Sequence, residues 1–379
     1  MTKGDGAPSG RTERRMEKHT AERAVILIPS LEPDERLPAY IQKLKESGFA
    51  HIVVIDDGSG EAYRKIFDEV DAVEDTVVLR HEVNKGKGVA LKTGYRYIMD
   101  NLPDITGVIT ADADGQHTVK DCLRLAEQLE KGERALYLGS RDFNQENVPP
   151  KSRSGNKITS AVFKILYGQY LPDTQTGLRA FRKEELQFMS EVEGERYEYE
   201  MKVLIACSRA RIPMIPITIE TIYENENEGT HFHPVRDSWR IYKVILGSFI
   251  KFMASSLTCW AIDQGLFNVL NLAVFANGEK NSATLILIST VIARAVSATA
   301  NFLINRKFVF GERGKAGASF VKYVILCIGI MLLSAGGTWL LSQTGMSSTV
   351  AKLITDAVLY FVSYRFQERW VFKEEVPHE

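Results

Sequence analysis

An α/β domain on a mainly parallel sheet, followed by an all-helical membrane domain of four spans, is the fold that the sequence predicts. Three observations predict it. Residues 24–141 alternate short apolar runs with amphipathic stretches, the pattern of βα units. Most of the charge lies before about residue 240, so the overall figures of 45% hydrophobic residues and net charge −1 average two unlike halves. From about residue 249 onward, apolar runs follow one another with only short polar loops between them. A chain of 379 residues has room for about two domains, and its balanced charge gives no reason to expect a nucleic-acid partner.

Candidate strands fall at 24–29, 51–56, 76–80, 107–110 and 135–139, with helices between them. Residues 36–47 place Leu37, Tyr40, Ile41 and Leu44 three and four apart, an apolar stripe that covers one sheet face, and 87–101 reads the same way. A less regular segment, 142–223, holds a helix near 156–167, another near 197–209 and a β-rich run at 214–222. In open sheets of this kind ligands bind beyond the carboxyl ends of the strands, so the residues just after each strand are the first candidates for a site.

Residues 1–23 contain no apolar core of a signal peptide and read as a solvated, disordered tail. The four cysteines are scattered without paired spacing, as expected of reduced packing residues. The soluble domain is assigned to 24–234. Residues 235–251 are amphipathic and basic, either a helix lying in the membrane interface or one that closes the domain. The membrane domain, 252–372, contains four stretches near the ~20 apolar residues needed to span hydrocarbon: about 252–275, 283–304, 320–341 and 349–366, with a tail at 373–379. Lys352 and Asp356 interrupt the fourth. The loops at 276–282 and 342–348 carry one basic residue between them, whereas 306–315 carries four, which predicts that this loop, the soluble domain and both termini are cytoplasmic. Asn305–Phe310 (NRKFVF) and Gln367–Phe372 (QERWVF) repeat at an offset of 62 residues, an offset that also relates Arg294 to Asp356. A helical hairpin brings Asp263 level with Arg294, as an ion pair or as part of a headgroup passage.

The chemistry-bearing residues cluster at strand ends. Thr110-Ala-Asp-Ala-Asp-Gly-Gln-His117 follows an apolar strand and places Asp112 and Asp114 at i and i+2, with Gly115 for the turn and Gln116 as a neutral oxygen. Such a set suits one hard cation, Mg2+ or Mn2+, bridging a diphosphate. Asp-x-Asp is common in surface turns, but its place after a buried strand favours a site. His117 is expected behind the ligands or exposed. Asp56-Asp-Gly-Ser59 follows the second strand, as ligands for a base or ribose or as a polar turn. Asn84-Lys-Gly-Lys-Gly-Val-Ala90 has the glycines of a phosphate-binding loop, with Lys85 able to meet a diphosphate, but matches neither a P-loop nor a dinucleotide fingerprint.

These segments, with Ile28-Pro-Ser-Leu-Glu32, Gly139-Ser-Arg141 and Asp173-Thr-Gln-Thr-Gly-Leu-Arg-Ala-Phe181, occur in the order found in family 2 glycosyltransferases, and the chain resembles the dolichol-phosphate mannose synthase type over about 24–223. The remainder resembles a GtrA-type membrane domain. The resemblance implies a GT-A-type, Rossmann-like catalytic domain. It implies Asp112, Asp114 and Gln116 as metal ligands, and Pro29, Glu32, Asp56, Asp57, Lys85, Gly86 and Asp112 around the nucleotide. Arg141 and Arg153 become candidates for the lipid phosphate, because a guanidinium fork matches phosphate oxygens; Arg153 also belongs to a Lys151–Lys157 cationic cluster that can simply be solvated. Asp173 falls near acceptor and sugar. The run after the first strand, Ser30-Leu-Glu-Pro-Asp-Glu35, departs from the family's Tyr-Asn-Glu-like pattern, so Asp34 and Glu35 compete with Glu32.

The implied activity is inverting transfer of a sugar from a nucleotide-sugar donor to polyprenyl or dolichyl phosphate by an enzyme of the cytoplasmic membrane. UDP-glucose or UDP-N-acetylglucosamine is preferred to GDP-mannose. The lipid bilayer is a partner, and self-association is compatible with this reading. Competing readings are a lipid-linked sugar translocator with a donor-binding domain, a processive polysaccharide synthase and a nucleotidyltransferase. Gln367-Glu-Arg-Trp370 is one residue short of the acceptor motif of such synthases, and Pro29–Pro33 lacks the Gly-rich opening of nucleotidyltransferases.

Overall fold

The computed structural model describes residues 20–143, 150–220, 234–275, 283–311 and 315–372. The chain divides into two units: Met1–Lys164 with Gly168–Val244, and Ile165–Tyr167 with Ile245–Glu379.

Among the described residues, the first unit is organised by seven strands: β1 (Ala24–Ser30), β2 (His51–Asp56), β3 (Thr76–Arg80), β4 (Gly107–Thr110), β5 (Leu136–Arg141), β6 (Arg179–Arg182) and β7 (Met214–Ile219). They form one sheet in the order β3-β2-β1-β4-β6-β5-β7. Every pairing is parallel except those of β6, which runs antiparallel to both β4 and β5. The helices of this unit are α1 (Arg36–Glu46), α2 (Arg64–Asp71), α3 (Lys87–Asn101), α4 (Val119–Glu130), α5 (Pro150–Tyr167), α6 (Leu186–Glu191) and α7 (Glu198–Ala210).

The strands form where the sequence concentrates β-branched and leucine side chains, and they are covered on both faces as a parallel sheet requires. On one face Ile26, Ile28, Val54 and Ile109 pack with Leu37, Tyr40, Ile41 and Leu44 of α1, Phe67 of α2 and Leu125 of α4. Full burial of each such side chain contributes roughly 1.5–3 kcal/mol. On the other face, Leu27 packs onto Gly94 of α3. Cys122 and Cys207 belong to this interior, and burial pushes both thiols up to about 12, which suits inert packing residues.

The strand ranges follow the sequence pattern closely at 51–56, 76–80 and 107–110. Strand β6 has no counterpart in that pattern. Its four residues, Arg-Ala-Phe-Arg, carry no local strand signal and are held by pairing on both sides.

The second unit is helical: the C-terminal part of α8 (Pro234–Phe275), α9 (Ala283–Ile304), α10 (Ala316–Ser342) and α11 (Ser348–Phe366). Residues 235–251 and 252–275, separated on hydropathy, lie on one unbroken helix. Among the described residues three helical stretches are long and apolar enough to cross a membrane: Ile241–Leu270, Ile286–Val309 and Ala316–Ser342. Helix α11 carries Lys352, Asp356 and Arg365 within 19 residues. Residues 221–233 and most of the two terminal tails lie outside the described residues.

The 62-residue repeat has a structural meaning. Both copies end in a π-helical turn, Asn305–Val309 and Gln367–Val371, closed by Phe310 N donating to Asn305 O and Phe372 N to Gln367 O, each at 2.9 Å. Equivalent residues meet each other: Asn305 Nδ2 donates to Gln367 Oε1 at 3.0 Å, and the Phe310 and Phe372 rings stack at 5.2 Å. Non-equivalent contacts are reciprocated, Phe302 to Phe372 at 5.6 Å and Tyr364 to Phe310 at 5.7 Å. Self-contacts plus reciprocal contacts define a pseudo-two-fold relation between the hairpins α8–α9 and α10–α11.

Each hairpin contains an ion pair. Arg294 meets Asp263 at 3.3 Å, with Ser297 Oγ donating to the same carboxylate at 3.0 Å, and Lys352 meets Asp356 at 2.9 Å. This is the ion-pair alternative for Asp263 and Arg294, and pairing is what lowers the cost of charge in hydrocarbon.

A double-mutant cycle on Asn305→Leu and Gln367→Leu should give a coupling of about 0.5–2 kcal/mol in detergent unfolding, the range for hydrogen bonds between membrane helices. Strictly additive single effects would show that the two amides do not act as a pair.

Candidate functional site

A cleft of about 400 Å3 opens beyond the carboxyl ends of β1, β2 and β4, lined by residues that include Pro29, Glu32, Asp34, Asp57, Lys87, Asp112 and Asp114. Asp112 stands two residues past β4. Its Oδ1 accepts from Lys87 Nζ at 2.7 Å, and its Oδ2 lies 3.2 Å from His117 Nε2. Gly177 packs directly against this carboxylate: a Cβ there would fall 2.3 Å from Oδ2, so no larger residue fits. Thr110 Oγ1 donates to Gly177 O at 2.9 Å and fixes that approach.

The electrostatics follow from this packing. Burial by itself would raise the Asp112 carboxyl, but Lys87 first and His117 second outweigh it and hold the group well below the usual carboxylate range. Burial likewise opposes the charge on Lys87, and Asp112 with Glu200 overcomes it, holding the ammonium above the usual lysine range. The Asp114 carboxyl is pushed up, by burial and then by its neighbour Asp112. A carboxyl pushed up by burial and by an ionised neighbour marks a place that favours a cation.

The donor chemistry fits a hard divalent ion. No cluster of three carboxylate, imidazole or thiol groups able to hold a metal occurs among the described residues. Two carboxylates leave the remaining positions of such an ion to water and other oxygen ligands, the arrangement Mg2+ favours. Gln116 is partly buried beside them, its backbone N–H donating to Asp114 Oδ1 at 3.0 Å.

The other residues expected at the nucleotide separate by position. Pro29, Glu32, Asp57 and Gly86 line the cleft; Asp56 and Lys85 do not. Asp56 Oδ1 accepts from Ser59 N at 2.9 Å and so caps its own turn. Asp57 accepts from Lys85 N at 3.0 Å and Gly86 N at 2.7 Å, and its Oδ1 lies 2.7 Å from His81 Nδ1. Asp57 therefore holds the Lys85 and Gly86 amides of the Asn84–Ala90 loop. Gly86 has φ 98°, open to glycine alone, and a Cβ there would meet Glu195 O at 2.5 Å. After this turn Lys87, and not the exposed Lys85, reaches the cleft. Glu32 adopts a left-handed φ of 50°, with its N–H on Ser59 Oγ at 2.8 Å; a non-glycine residue there is strained, and strain of this kind gathers at functional sites. Of its competitors, Asp34 lines the cleft but is bound to Arg36 at 2.7 Å, and Glu35 is outside it.

The structure brings Arg141 and Asp173 together. Arg141 Nε donates to Asp173 Oδ2 at 2.7 Å and Nη2 to Oδ1 at 3.3 Å; Oδ1 also accepts from Gln175 N at 3.0 Å. Asp173 is only 1% exposed, and the loop from Asp173 to Gly177 ties this pair to the floor beneath Asp112. Arg153, near the start of α5, is partly buried. Sequence reasoning missed Lys87 and Glu200, and also Arg196 and Tyr197 at the cleft wall. The signal for Lys87 is its place in the Asn84–Ala90 run, and that for the other three is the polar segment that opens α7.

A mixed sheet of this order, with an acidic cleft at the ends of its parallel strands, defines a GT-A-type transferase domain. Comparison with known families agrees: residues 25–188 match Glycosyl transferase family 2, and residues 251–372 match the GtrA/DPMS transmembrane domain. An uncharacterised protein of Methanocaldococcus jannaschii is 31% identical over 225 residues, 58% of this chain and 90% of that one. A UDP-N-acetylglucosamine–dolichyl-phosphate N-acetylglucosaminyltransferase of Methanococcus voltae is 29% identical over 52% of this chain and 85% of its own. A dolichol-phosphate mannosyltransferase of Pyrococcus furiosus is 22% identical, covering 89% of this chain and 96% of its own. The chain belongs to the family 2 glycosyltransferases that carry a GtrA/DPMS transmembrane domain, and is a membrane protein.

Asp57→Ala leaves the Lys85 and Gly86 amides without their acceptor. It should lower stability on the order of 1–3 kcal/mol in denaturant unfolding and speed hydrogen exchange at those two amides. Unchanged exchange would mean that the loop does not depend on Asp57.

Proposed function

We propose that the chain transfers a sugar from a nucleotide-sugar donor to a polyprenyl phosphate, with inversion, in a single displacement. The observation that carries this reading is the Asp112–Asp114 pair at the end of β4, inside a cleft with Lys87 on its wall. The names of the relatives from Methanococcus voltae and Pyrococcus furiosus support the acceptor class, and they differ in the sugar. A UDP-sugar, UDP-glucose or UDP-N-acetylglucosamine, is the preferred donor. Residues 24–234 act as a catalytic domain on the cytoplasmic face, and 252–372 as its membrane domain.

Asp112 and Asp114, with Gln116, would hold Mg2+ or Mn2+. A divalent ion there supplies positive charge for the leaving diphosphate. Lys87 contributes its ammonium on the same side of the cleft. Arg141 binds the acceptor phosphate, with Arg153 as a second cation, and Asp173 fixes the orientation of the Arg141 guanidinium. An acceptor phosphate is already an anion at neutral pH, so no strong general base is required, and the chain's work is orientation plus electrostatic stabilisation. Both oxygens of Asp173 are committed to Arg141 and Gln175, which supports a positioning role over proton removal.

The test is transfer of radiolabelled sugar from a panel of UDP- and GDP-sugars into organic-extractable lipid, using purified full-length protein, polyprenyl phosphate and Mg2+ or Mn2+. Asp114→Ala and chelation should each cut transfer on the order of 10²-fold or more. Asp173→Asn, which loosens Arg141, should cost on the order of 10²-fold. Donor binding without transfer across the whole panel would favour the translocator reading instead.

A further inference from the structure

Lys87 is the first residue of α3, and its ammonium is shared by two carboxylates from distant parts of the chain: Asp112 Oδ1 at 2.7 Å and Glu200 Oε1 at 3.0 Å. The side chains of Lys87 and Glu200 retain only 17% and 14% of their exposure, so little water competes for either charge. Asp112 belongs to the pair assigned above to the divalent ion, whereas Glu200, on α7, does not line the cleft.

An ammonium and a divalent cation drawn to one carboxylate repel each other. A static counter-charge for Asp112 would need no second carboxylate. Glu200 gives the ammonium a place to stay when Asp112 is claimed by the metal. Asp112 and Glu200 thus share one ammonium, and a divalent cation at Asp112 leaves that ammonium to Glu200.

We propose that Lys87 is a built-in counter-ion that guards Asp112 until the divalent cation arrives, and that Glu200 then holds the ammonium beside the cleft, ready for the donor's diphosphate. The Lys87–Glu200 couple thereby sets the protein's affinity for the metal and links metal entry to diphosphate binding. This inference rests on the metal reading of Asp112 and Asp114, and the experiment below separates the two. Glu200 acts through Lys87 and is a positioning residue.

The measurement is Mn2+ binding to the full-length protein in nanodiscs without nucleotide, by electron paramagnetic resonance of the free ion. Lys87→Met should bind Mn2+ at least tenfold more tightly than the wild type, and bind UDP more weakly once Mn2+ is present. Glu200→Gln should bind Mn2+ several-fold more weakly, because the ammonium is then confined to Asp112. The double variant should match Lys87→Met, since Glu200 has no route to the metal except through the lysine. Lys87→Gln, which keeps a hydrogen-bond donor, takes the place of Lys87→Met if the latter does not fold. Unchanged or weaker Mn2+ binding by both lysine variants overturns the proposal, as does a Glu200→Gln effect that persists in the double variant. If wild type and Asp114→Ala bind Mn2+ alike, or neither binds it, the metal reading itself fails, and this inference with it.

Discussion

The carboxylate of Asp112 is the point on which three separately anchored segments converge: the start of α3 through Lys87, its own loop through His117, and the 173–177 loop through Gly177. A charge withdrawn in part from water is stabilised by pairing and hydrogen bonding, so each segment must be held firmly enough to keep its partner in place. Asp57 holds the loop before α3 by its amides, Thr110 holds Gly177, and Asp173 holds Arg141 and Gln175. Several acidic residues of this region therefore bind the protein to itself. The cleft keeps its shape because their oxygens are already engaged.

That division of labour explains what could and could not be read from the sequence. Asp112 and Asp114 were legible because an apolar strand followed by i, i+2 carboxylates places both at one strand end. Asp57 and Asp56 were legible as strand-end residues, but not as loop anchors, because the amides they accept from depend on how β3 and α3 are joined. The choice between Lys85 and Lys87 turns on the positive φ of Gly86, which stands between them. Glu200 reaches Lys87 from a helix far along the chain, a contact with no local signature. The same limit hid β6: strands with their own apolar run were visible, whereas Arg179–Arg182 is a strand only because β4 and β5 flank it.

In the helical unit the repeat was legible and its geometry was not. An element on a two-fold axis must complement its own copy. An amide both donates and accepts, so Asn305 and Gln367 can face each other, as can two stacked rings. A charge cannot do so, because its copy would repel it. Arg294 and Asp356, equivalent by the repeat, carry opposite signs and find different partners: Asp263 on the neighbouring helix for one, Lys352 one turn earlier on the same helix for the other. The hairpins are thus alike where the pairing requires it and differ where it places no constraint.

The state of the carboxylates also bears on which acceptor the first unit can serve. An alcohol must lose a proton as it attacks, which calls for a carboxylate with an open oxygen near the reacting atoms. Asp173 has both oxygens on Arg141 and Gln175, Asp57 has both on the loop before α3, and Asp112 and Glu200 share the Lys87 ammonium. Asp114 has Oδ1 on the Gln116 amide, and burial first and the Asp112 charge second push its carboxyl up; a metal bound there would draw on the lone pairs a base needs. A nucleophile that arrives already ionised avoids this conflict. What it needs is a fixed cation to align it, and the bidentate Arg141–Asp173 pair holds a guanidinium in one orientation with most of its rotational freedom already lost.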